Sequence, residues 1–315
     1  MIDNIYLQND HSYPRDINKV SVPPIKCQGI KTKLVKFILS NIKWNGDGIW
    51  YDPFMGSGVV SFNAIPKKSI LSDINPHIIQ FYKDIQDKKM TPKIVRDFLE
   101  FHGKKLSETD DSADSYYYEM RDIFNETYDS FYFLFLIRSC FNGLMRFNSK
   151  GKYNASFCKK PNRFSKAYIT KIVNQIKWVQ KVITENDYTF ICSHWKDILE
   201  GLSEKDFVYC DPPYIGRHTT YYDKWNDDDE KKLLNWTKES PCGWAISSWY
   251  KNKYRENTFI QNAYSDHTIR TNEHYYFLGS NESLRTNMTE ALIIKKEYAT
   301  EDPRIIYNYM STYKS

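Results

Sequence analysis

The pattern of apolar and polar residues predicts two successive strand–turn–helix units near the start of the chain. A short apolar run at 48–51 leads into a glycine-containing turn and then into the helical pattern VVSFNAI. The segment SILSDINPHIIQFYKDI repeats this order, with a strand at 69–72, a turn at 73–76 and a helix from His77. Because strands joined through helices pair in parallel with right-handed crossovers, the two units predict a parallel α/β sheet.

The pattern changes between residues 85 and 184. Its first part is polar and helical, whereas its second part is basic and aromatic around the turn NSKG at 148–151, which predicts a β-hairpin or an extended loop. Strand-like runs return from Tyr188 onward (YTFICSHW, DFVYCDPPY, GWAISSW, EALIIKKEY). We therefore predict a Rossmann-like catalytic domain formed by residues 1–84 and 185–315, with residues 85–184 inserted as a mainly helical recognition domain.

Charge is distributed unevenly, although the net charge is only +5. Residues 130–184 contain no Asp or Glu, and their lysines and arginines alternate with aromatic side chains. A charged segment is usually just a solvated surface, but a long segment of one sign with interleaved aromatics favours nucleic-acid binding. The candidates for DNA contact that this stretch supplies are Arg138, Asn148, Lys150, Lys159, Lys160 and Arg163.

Composition narrows the remaining classes of protein. The six cysteines include no CxxC pair and have no nearby His at metal-ligand spacing, so we predict reduced core cysteines and no metal site. The longest apolar run, 131–137, is far shorter than the roughly 20 residues of a membrane span. The first ten residues lack the pattern of a secretory signal. We therefore expect an intracellular, cytoplasmic protein that has no membrane partner.

Two motifs follow predicted strands. In Asp52-Pro-Phe54-Met-Gly56-Ser-Gly58, the glycines allow a cofactor to approach the backbone at the carboxyl end of a strand. Asp73, one strand later, stands where such folds place a carboxylate that binds ribose hydroxyls. The alternatives are a tight structural turn for the glycines and a helix cap for Asp73.

The motif Asp211-Pro212-Pro213-Tyr214 follows the hydrophobic strand DFVYC. Consecutive prolines remove backbone donors and stiffen the turn, so that its carbonyl groups are left to accept hydrogen bonds. A carboxylate and a fixed carbonyl accept both N–H bonds of an exocyclic amine, while the tyrosine stacks on a planar base. This combination predicts methylation of an amine on a flipped base.

These motifs resemble those of the Dam-type adenine-N6 DNA methyltransferases, over most of the chain. They stand in the family's order as IKCQGIKTKL (25–34), DPFMGSG, SDINPHII, RSCFNGLMRFNSKG (138–151), FICSHWKDI (190–198) and DPPY. The wording VPPIKCQGIKTKLV, FCKKPNRF and DPPYIGRH is similar to that of the EcoRV-type modification methylases. The resemblance implies an alpha-type arrangement, in which the cofactor motif precedes the insertion and the catalytic motif follows it.

The resemblance also implies a cofactor, S-adenosylmethionine, which leaves as S-adenosylhomocysteine. Its implied contacts are Cys27, Lys31, Asp52, Phe54, Gly56, Gly58, Asp73, Phe190 and Asp211. Lys31 lies beside the methionine end in this scheme, and residues 190–197, which begin with Phe190, border the adenine ring. Cys27 stands where the family usually carries Trp. Asp211 and Tyr214 hold the target amine and stack on its base.

The implied partner is double-stranded DNA, bound by a monomer. Phe141 and Asn142 match positions that insert into and contact the duplex, and Arg146 matches an arginine that reads a base. The EcoRV-type wording favours GATATC as the site, whereas the broader family likeness favours GATC. A restriction endonuclease that forms no stable complex with the methylase is a further expectation.

Other chemistries remain open. Pro241-Cys242 is the pair that supplies the nucleophile of cytosine carbon-5 methylation, but it stands in the wrong order here and amine methylation needs no covalent adduct. His218 follows the DPPY turn and is a candidate for phosphate contact. An RNA or protein-amide methyltransferase and a catalytically silent DNA-binding protein are the alternative functions.

Overall fold

The computed structural model describes residues 11–27, 29–108, 113–214, 225–252, 254–277 and 285–301. Its strands are β1 (Trp50–Asp52), β2 (Lys68–Asp73), β3 (Asp187–Cys192), β4 (Phe207–Cys210), β5 (Gly243–Asn252), β6 (Thr268–Phe277) and β7 (Arg285–Ile294). Its helices are α1 (Val35–Asn41), α2 (Val59–Ala64), α3 (Pro76–Gln86), α4 (Pro92–Glu108), α5 (Ala113–Thr127), α6 (Ser130–Ser139), α7 (Lys166–Glu185), α8 (Asp227–Glu239) and α9 (Thr258–Ala263).

All seven of these strands form one sheet in the order β3-β2-β1-β4-β5-β7-β6. The first five in this order pair in parallel, and β7 is antiparallel to both of its neighbours. The predicted Rossmann-like α/β fold is confirmed. The chain runs outward from β1 in one direction through β2 and β3 and later in the other direction through β4 and β5. Open α/β sheets bind ligands at such a reversal, outside the carboxyl ends of the strands.

The helices of the insertion share a core with the sheet. Buried apolar residues of α4 to α7 belong to the same hydrophobic cluster as those of β1, β2 and β3. Helix α7 leads directly into β3, and its Trp178 ring lies 6.1 Å from Phe62 of α2, between ring centroids. The boundaries at 84/85 and 184/185 therefore stay a prediction. Within the described chain, no helix is both long and apolar enough to cross a bilayer.

The predicted hairpin is present as a loose pair of extended segments. Antiparallel bridges join Cys140 to Phe157 and Phe147 to Tyr153, and the amide of Gly151 donates to the carbonyl of Asn148 at the turn, at 2.9 Å. The hairpin packs against the start of α3, where the ring of His77 stacks on that of Phe147 at a centroid distance of 5.0 Å. This contact brings the basic segment close to the carboxyl edge of the sheet.

Candidate active site

A cleft with an empty volume of about 1320 Å³, open mouth included, lies at the carboxyl edge of the sheet. Besides Asp229 of α8, three carboxyl groups at strand ends line it: Asp52 ends β1, Asp73 ends β2 and Asp211 follows β4. These three strands are consecutive neighbours in the sheet, so residues far apart in sequence meet at one place. The cleft therefore occupies the point of strand reversal where the fold favours a ligand.

Asp52 is buried and fixes the turn that follows β1. Its Oδ2 accepts a hydrogen bond from the Ser61 hydroxyl at 2.6 Å, and its Oδ1 accepts from the Phe54 amide at 3.3 Å. Ser61 accepts in turn from the indole N–H of Trp50 at 2.9 Å. Burial raises the pKa of Asp52 to about 7, against the opposing effect of the Ser61 hydrogen bond. The network ties strand β1 to helix α2 directly beneath the cleft.

The two glycines of this turn are required by its backbone. Gly56 and Gly58 have φ angles of +47° and +68°, in the left-handed region that side-chain-bearing residues avoid. Gly58 is the N-cap of α2. A Cβ at Gly56 would lie 3.5 Å from Sγ of Cys27, so the absence of a side chain keeps the cleft open there. Both the cofactor and the tight-turn interpretations require glycine at these positions.

Asp73 joins the two motif turns. Its Oδ2 accepts from the Gly56 amide at 2.9 Å, and its Oδ1 accepts from the Asn75 amide at 2.8 Å. Burial raises its pKa to about 6, and the two amides act in the opposite direction. The N-cap of α3 is Asn75, which accepts from the His77 amide at 3.0 Å. Asp73 therefore does not cap α3, and its half-buried carboxyl group faces the cleft.

Asp211 forms an ion pair with Lys31 inside the cleft. The Lys31 Nζ lies 2.8 Å from Oδ1 and 3.0 Å from Oδ2, and it also donates to the Gly29 carbonyl at 3.0 Å. The Lys31 side chain is 4% exposed and that of Asp211 is 21% exposed. The segment before α1 is thus held directly against the DPPY turn.

Tyr214 is held at its hydroxyl by a residue that the sequence motifs did not include. The hydroxyl donates to Oε2 of Glu290 at 2.7 Å, and the Lys31 ammonium lies 4.9 Å from the ring centroid. Glu290 belongs to β7 and is 1% exposed. The sequence signal for it was an acid within the apolar run MTEALII, because a charged residue in a buried strand requires a partner.

The cleft is rich in carboxyl groups. Lys31 is the only lysine or arginine among the described residues that line it. Burial raises the pKa of Asp211, and Glu290 adds to this increase while Lys31 opposes it. Burial by itself lowers the pKa of Lys31, but the carboxylates of Asp211 and Glu290 outweigh it and raise that pKa. A ligand that brings positive charge is favoured in this field.

Aromatic rings form the other end of the cleft. Phe54 lies 5.4 Å from Trp225 and 6.2 Å from Trp195, between centroids. Trp195 is 5% exposed, and its Nε1 finds no hydrogen-bond partner among the described residues. A buried donor without a partner is costly unless a ligand satisfies it.

Phe190 does not line the cleft, contrary to the expected contact with the cofactor. Its side chain is 2% exposed and stacks on Tyr82 of α3, with 5.5 Å between centroids. Side chains alternate along a strand, and this position of β3 faces the helices. The lining residues of this segment come just after the strand, at Ser193, His194 and Trp195.

Cys27 lines the cleft beside the glycine turn. Burial raises the pKa of its thiol to about 11, against the opposing hydrogen bonds with Ser57. The thiol is therefore protonated near neutral pH, and it contributes a small uncharged surface to the cleft. Elsewhere, no group of three or more potential ligands that could hold a metal ion occurs in the described parts of the chain.

Arg138 and Arg163 are engaged within the protein. Arg138 is 2% exposed, and its guanidinium donates to the side-chain oxygen of Gln175 on α7. Arg163 donates to the Arg138 carbonyl and to the Tyr168 hydroxyl, both at 2.8 Å. The expected DNA contact of Arg138 is wrong, because its place at the end of α6 turns the side chain into the packed helices. Arg163 is half-buried and joins α7 to α6.

The other predicted DNA contacts lie on the surface. Phe141 is 55% exposed, and Asn142, Arg146, Lys150, Lys159 and Lys160 are exposed. Asn148 has a structural task as well, because its side chain accepts from the Lys150 and Lys152 amides at 2.9 and 3.0 Å and fixes the hairpin turn. The structure thus groups most of the predicted contacts on one hairpin and the segment that follows it.

Cys242 lies away from the cleft. It precedes β5 and so stands at the amino edge of the sheet, opposite the carboxyl edge. The thiol is buried and lies 3.2 Å from the Ser240 hydroxyl. These contacts support its interpretation as a structural residue. His218, the candidate for phosphate contact, lies outside the described residues.

Comparison with known proteins assigns the chain to a family. The model of the D12 class N6 adenine-specific DNA methyltransferases matches residues 28–277. The match covers most of the chain and includes both the DPFMGSG and the DPPY turns. The chain belongs to this family. The D12 class agrees with the Dam-type resemblance that the motifs predicted, and the finer likeness to the EcoRV-type enzymes stays a prediction.

Individual relatives are similar to this chain over different lengths. The type II methyltransferase M.MjaIII of Methanocaldococcus jannaschii is 28% identical over 241 residues, which are 69% of this chain and 79% of that enzyme. The DNA adenine methylase of Serratia marcescens is 31% identical over 167 residues, which are 52% of this chain and 56% of the relative. The type II methyltransferase M1.LlaDCHI of Lactococcus lactis is 24% identical over 295 residues and covers 88% and 96% of the two chains.

Proposed function

We propose that this protein transfers a methyl group from S-adenosylmethionine to N6 of an adenine in duplex DNA. The observation that carries the proposal is the DPPY turn at the carboxyl end of β4. There Asp211 and Tyr214 stand beside Lys31, in the same cleft as the glycine turn and Asp73. Membership of the D12 class supports the same activity.

The cleft fits the proposed cofactor in three respects. Its carboxyl groups suit a ligand that carries a positive sulfonium. The unpartnered Nε1 of Trp195 suits a ligand with nitrogen or oxygen acceptors, as a nucleoside has. The open side of Gly56 admits a ligand against the backbone, as nucleotide-binding turns do. When bound, the cofactor supplies an electrophilic methyl group.

The residues of the cleft contact different parts of the cofactor. Asp73 binds the ribose hydroxyls, and its hydrogen bonds from the Gly56 and Asn75 amides fix the direction of the carboxylate. Phe54 flanks the adenine ring together with Trp195, which takes the place of Phe190 within the expected segment 190–197. Lys31 attracts the carboxylate of the methionine moiety. Together these contacts bind the cofactor at the carboxyl ends of β1, β2 and β4.

The DPPY turn orients the target amine. Pro212 and Pro213 lack N–H groups, so the turn presents oxygen acceptors without competing backbone donors. The Asp211 carboxylate and the Pro212 carbonyl accept the two N–H bonds of N6, which turns the nitrogen lone pair toward the methyl group. Lys31 favours the ionised form of Asp211 against the effect of burial, because an adjacent ammonium stabilises a carboxylate. Orientation of this kind supplies much of the rate.

The hairpin engages the duplex. Phe141 is an exposed aromatic at its base and fills the space left by the flipped adenine. Arg146 is exposed on the first strand of the hairpin, next to Phe147, whose ring packs on α3. It reads a guanine in the major groove. The lysines at 159 and 160 contact phosphates.

The proposed recognition sequence is GATATC, with GATC as the alternative. Both begin with GA, so Arg146 and Asn142 serve either site. The likeness that favours GATATC runs through the insertion, which supplies the contacts outside the flipped base. Long-read sequencing of DNA from a methylation-deficient host that expresses the protein will give the consensus. Methylation at every GATC, whatever its flanks, would overturn the longer site.

Parallel methyl-transfer assays test the proposal as a whole. Purified protein is incubated with S-adenosyl[methyl-³H]methionine and duplex DNA, folded RNA or protein. We expect label in duplex DNA only. Label in RNA or protein would replace the proposal with the corresponding methyltransferase, and cofactor-independent DNA binding without label would indicate a catalytically silent DNA-binding protein.

A further inference from the structure

Glu290 is a buried acid at the back of the cleft. It lies on β7 opposite Trp249 of β5, in the antiparallel part of the sheet, and is 1% exposed. An isolated carboxylate at such a position is strongly disfavoured unless donors compensate for its lost hydration. None of the motifs that define the site includes it. Its retention within the apolar run MTEALII therefore calls for an explanation.

The contacts of Glu290 lead into the DPPY turn. Its Oε2 accepts from the hydroxyl of Tyr214 at 2.7 Å, the length of a strong O–H···O hydrogen bond. Its charge also acts on Lys31, which is paired with Asp211. Glu290 is thus linked directly to Tyr214 and, through Lys31, to Asp211, the two residues that receive the target base. It lies behind them on another strand.

Tyr214 is held at two points as a result. Its backbone follows Pro213, whose ring stiffens the turn, and its hydroxyl is fixed by Glu290. The hydroxyl lies on the long axis of the ring, so a hydrogen bond there fixes the direction of that axis. Because a phenolic O–H prefers to lie in the plane of its ring, the position of Glu290 also orients the ring about this axis. The plane of the ring in turn sets the plane of a base that stacks on it.

We propose that Glu290 is a positioning residue that sets the stacking plane of Tyr214, so that the amine of the flipped base meets Asp211. The inference rests on the proposed function and adds to it a requirement on a residue outside the motifs. It acts after DNA is bound, since the carboxylate is buried and touches no surface. Loss of the hydrogen bond should therefore lower kcat and leave KM for DNA nearly unchanged.

Four variants separate this role from a general effect on folding. Glu290→Met removes the acceptor, and Glu290→Gln keeps an oxygen that accepts from the tyrosine hydroxyl. Tyr214→Phe removes only the hydroxyl. Thr289→Val is the matched control, because Thr289 is a buried neighbour on β7 whose side chain faces the other side of the sheet.

We expect Glu290→Met and Tyr214→Phe each to reduce kcat by about tenfold or more, as for one charge-assisted hydrogen bond. The double variant should be no slower than the worse single variant, because both changes break the same bond. Glu290→Gln should recover much of the activity. With 2-aminopurine in place of the target adenine, the long-lifetime, unstacked fraction of its fluorescence should rise in Glu290→Met and stay at the wild-type level in Thr289→Val.

Additive losses in the double variant would overturn the proposal, and so would an unchanged 2-aminopurine lifetime in Glu290→Met. A tenfold loss in Thr289→Val, or a lower melting temperature that accounts for the loss in Glu290→Met, would also assign Glu290 to the fold alone. If the wild-type protein itself transfers no methyl group, the proposed function fails, and the lifetime measurement still tests the stacking role.

Discussion

The sequence predicted functional residues in two regions, the cleft at the edge of the sheet and the basic surface of the insertion. The side chains of the two regions are placed differently from each other. In the cleft, the predicted polar residues Lys31, Asp52, Asp73 and Asp211 come together with defined hydrogen bonds. In the insertion, the predicted cations divide into a buried group and an exposed group. Arg138 supports the packing of helices, whereas Arg146 faces solvent.

The difference follows from what fixes each side chain. A residue that directly follows a parallel strand must lie at the carboxyl edge, because the topology of the sheet leaves it no other place. A residue near a helix end faces either the core or the solvent, depending on how the helix packs. Charge alone does not reveal which. The carboxyl groups at the strand ends were therefore predictable one by one, and the insertion only as a region.

The largest expected effect is at the cleft. Asp211→Ala should reduce methyl transfer by about 10³-fold or more, because it removes both the acceptor of the amine and the partner of Lys31. DNA affinity should stay within a few-fold of wild type, since phosphate contacts supply most of it. Single-turnover kinetics and fluorescence anisotropy with a labelled duplex measure the two quantities. Retention of more than a tenth of the activity would contradict the assignment.

Substitution of two arginines of the insertion should affect different properties, stability in one case and sequence discrimination in the other. Arg138→Met should lower the free energy of unfolding by about 2–3 kcal/mol, because it leaves the Gln175 amide buried without its partner. Arg146→Met should leave stability unchanged and lose about 1–3 kcal/mol of discrimination between the cognate site and a site with one changed base pair. Urea denaturation measures the free energy of unfolding, and competition binding measures the discrimination between the two DNA sites. Equal stabilities would show that the two arginines are not divided in this way.

Asp73→Ala tests the ribose contact in the cleft. We expect a loss of about 1.5–3 kcal/mol in the binding of S-adenosylhomocysteine, measured by calorimetry. The wild-type affinity should fall as the pH is lowered through about 6, because protonation of Asp73 removes the carboxylate that accepts from the hydroxyls. Asp73→Ala should lack this pH dependence. An unchanged dissociation constant in the variant would limit Asp73 to its bonds with the Gly56 and Asn75 amides.

The smallest effect is expected on the exposed part of the basic surface. Neutralising Lys159 and Lys160 together should weaken binding equally for all sequences and reduce the slope of log K against log salt by up to about two. Lys159 lies 3.8 Å from the carboxylate of Asp114 in a contact in which both side chains are well exposed. A selective loss on the cognate sequence, with the slope intact, would mean that these lysines read bases.

Two residues show what the sequence could not provide. Glu290 reaches Tyr214 because β7 inserts antiparallel between β5 and β6, and a sequence pattern does not give the order of strands. The resemblance indicated the segment 190–197 for the adenine ring and named Phe190 in it, but side chains in a strand alternate, and the sequence does not show which of them face the cleft. Trp195, five residues later, lies in the loop and meets the cleft. Strand ends were predictable, whereas facing directions and long-range partners required the tertiary structure.

The most direct measurement is the identity of the methylated nucleoside. Duplex DNA carrying both candidate sites is incubated with the purified protein and S-adenosylmethionine that bears a deuterated methyl group, then digested and analysed by mass spectrometry. The site described here predicts that the label appears in N6-methyldeoxyadenosine and in no other nucleoside. Label in a methylated cytosine, or no label under conditions in which the protein binds both DNA and the cofactor, would contradict it.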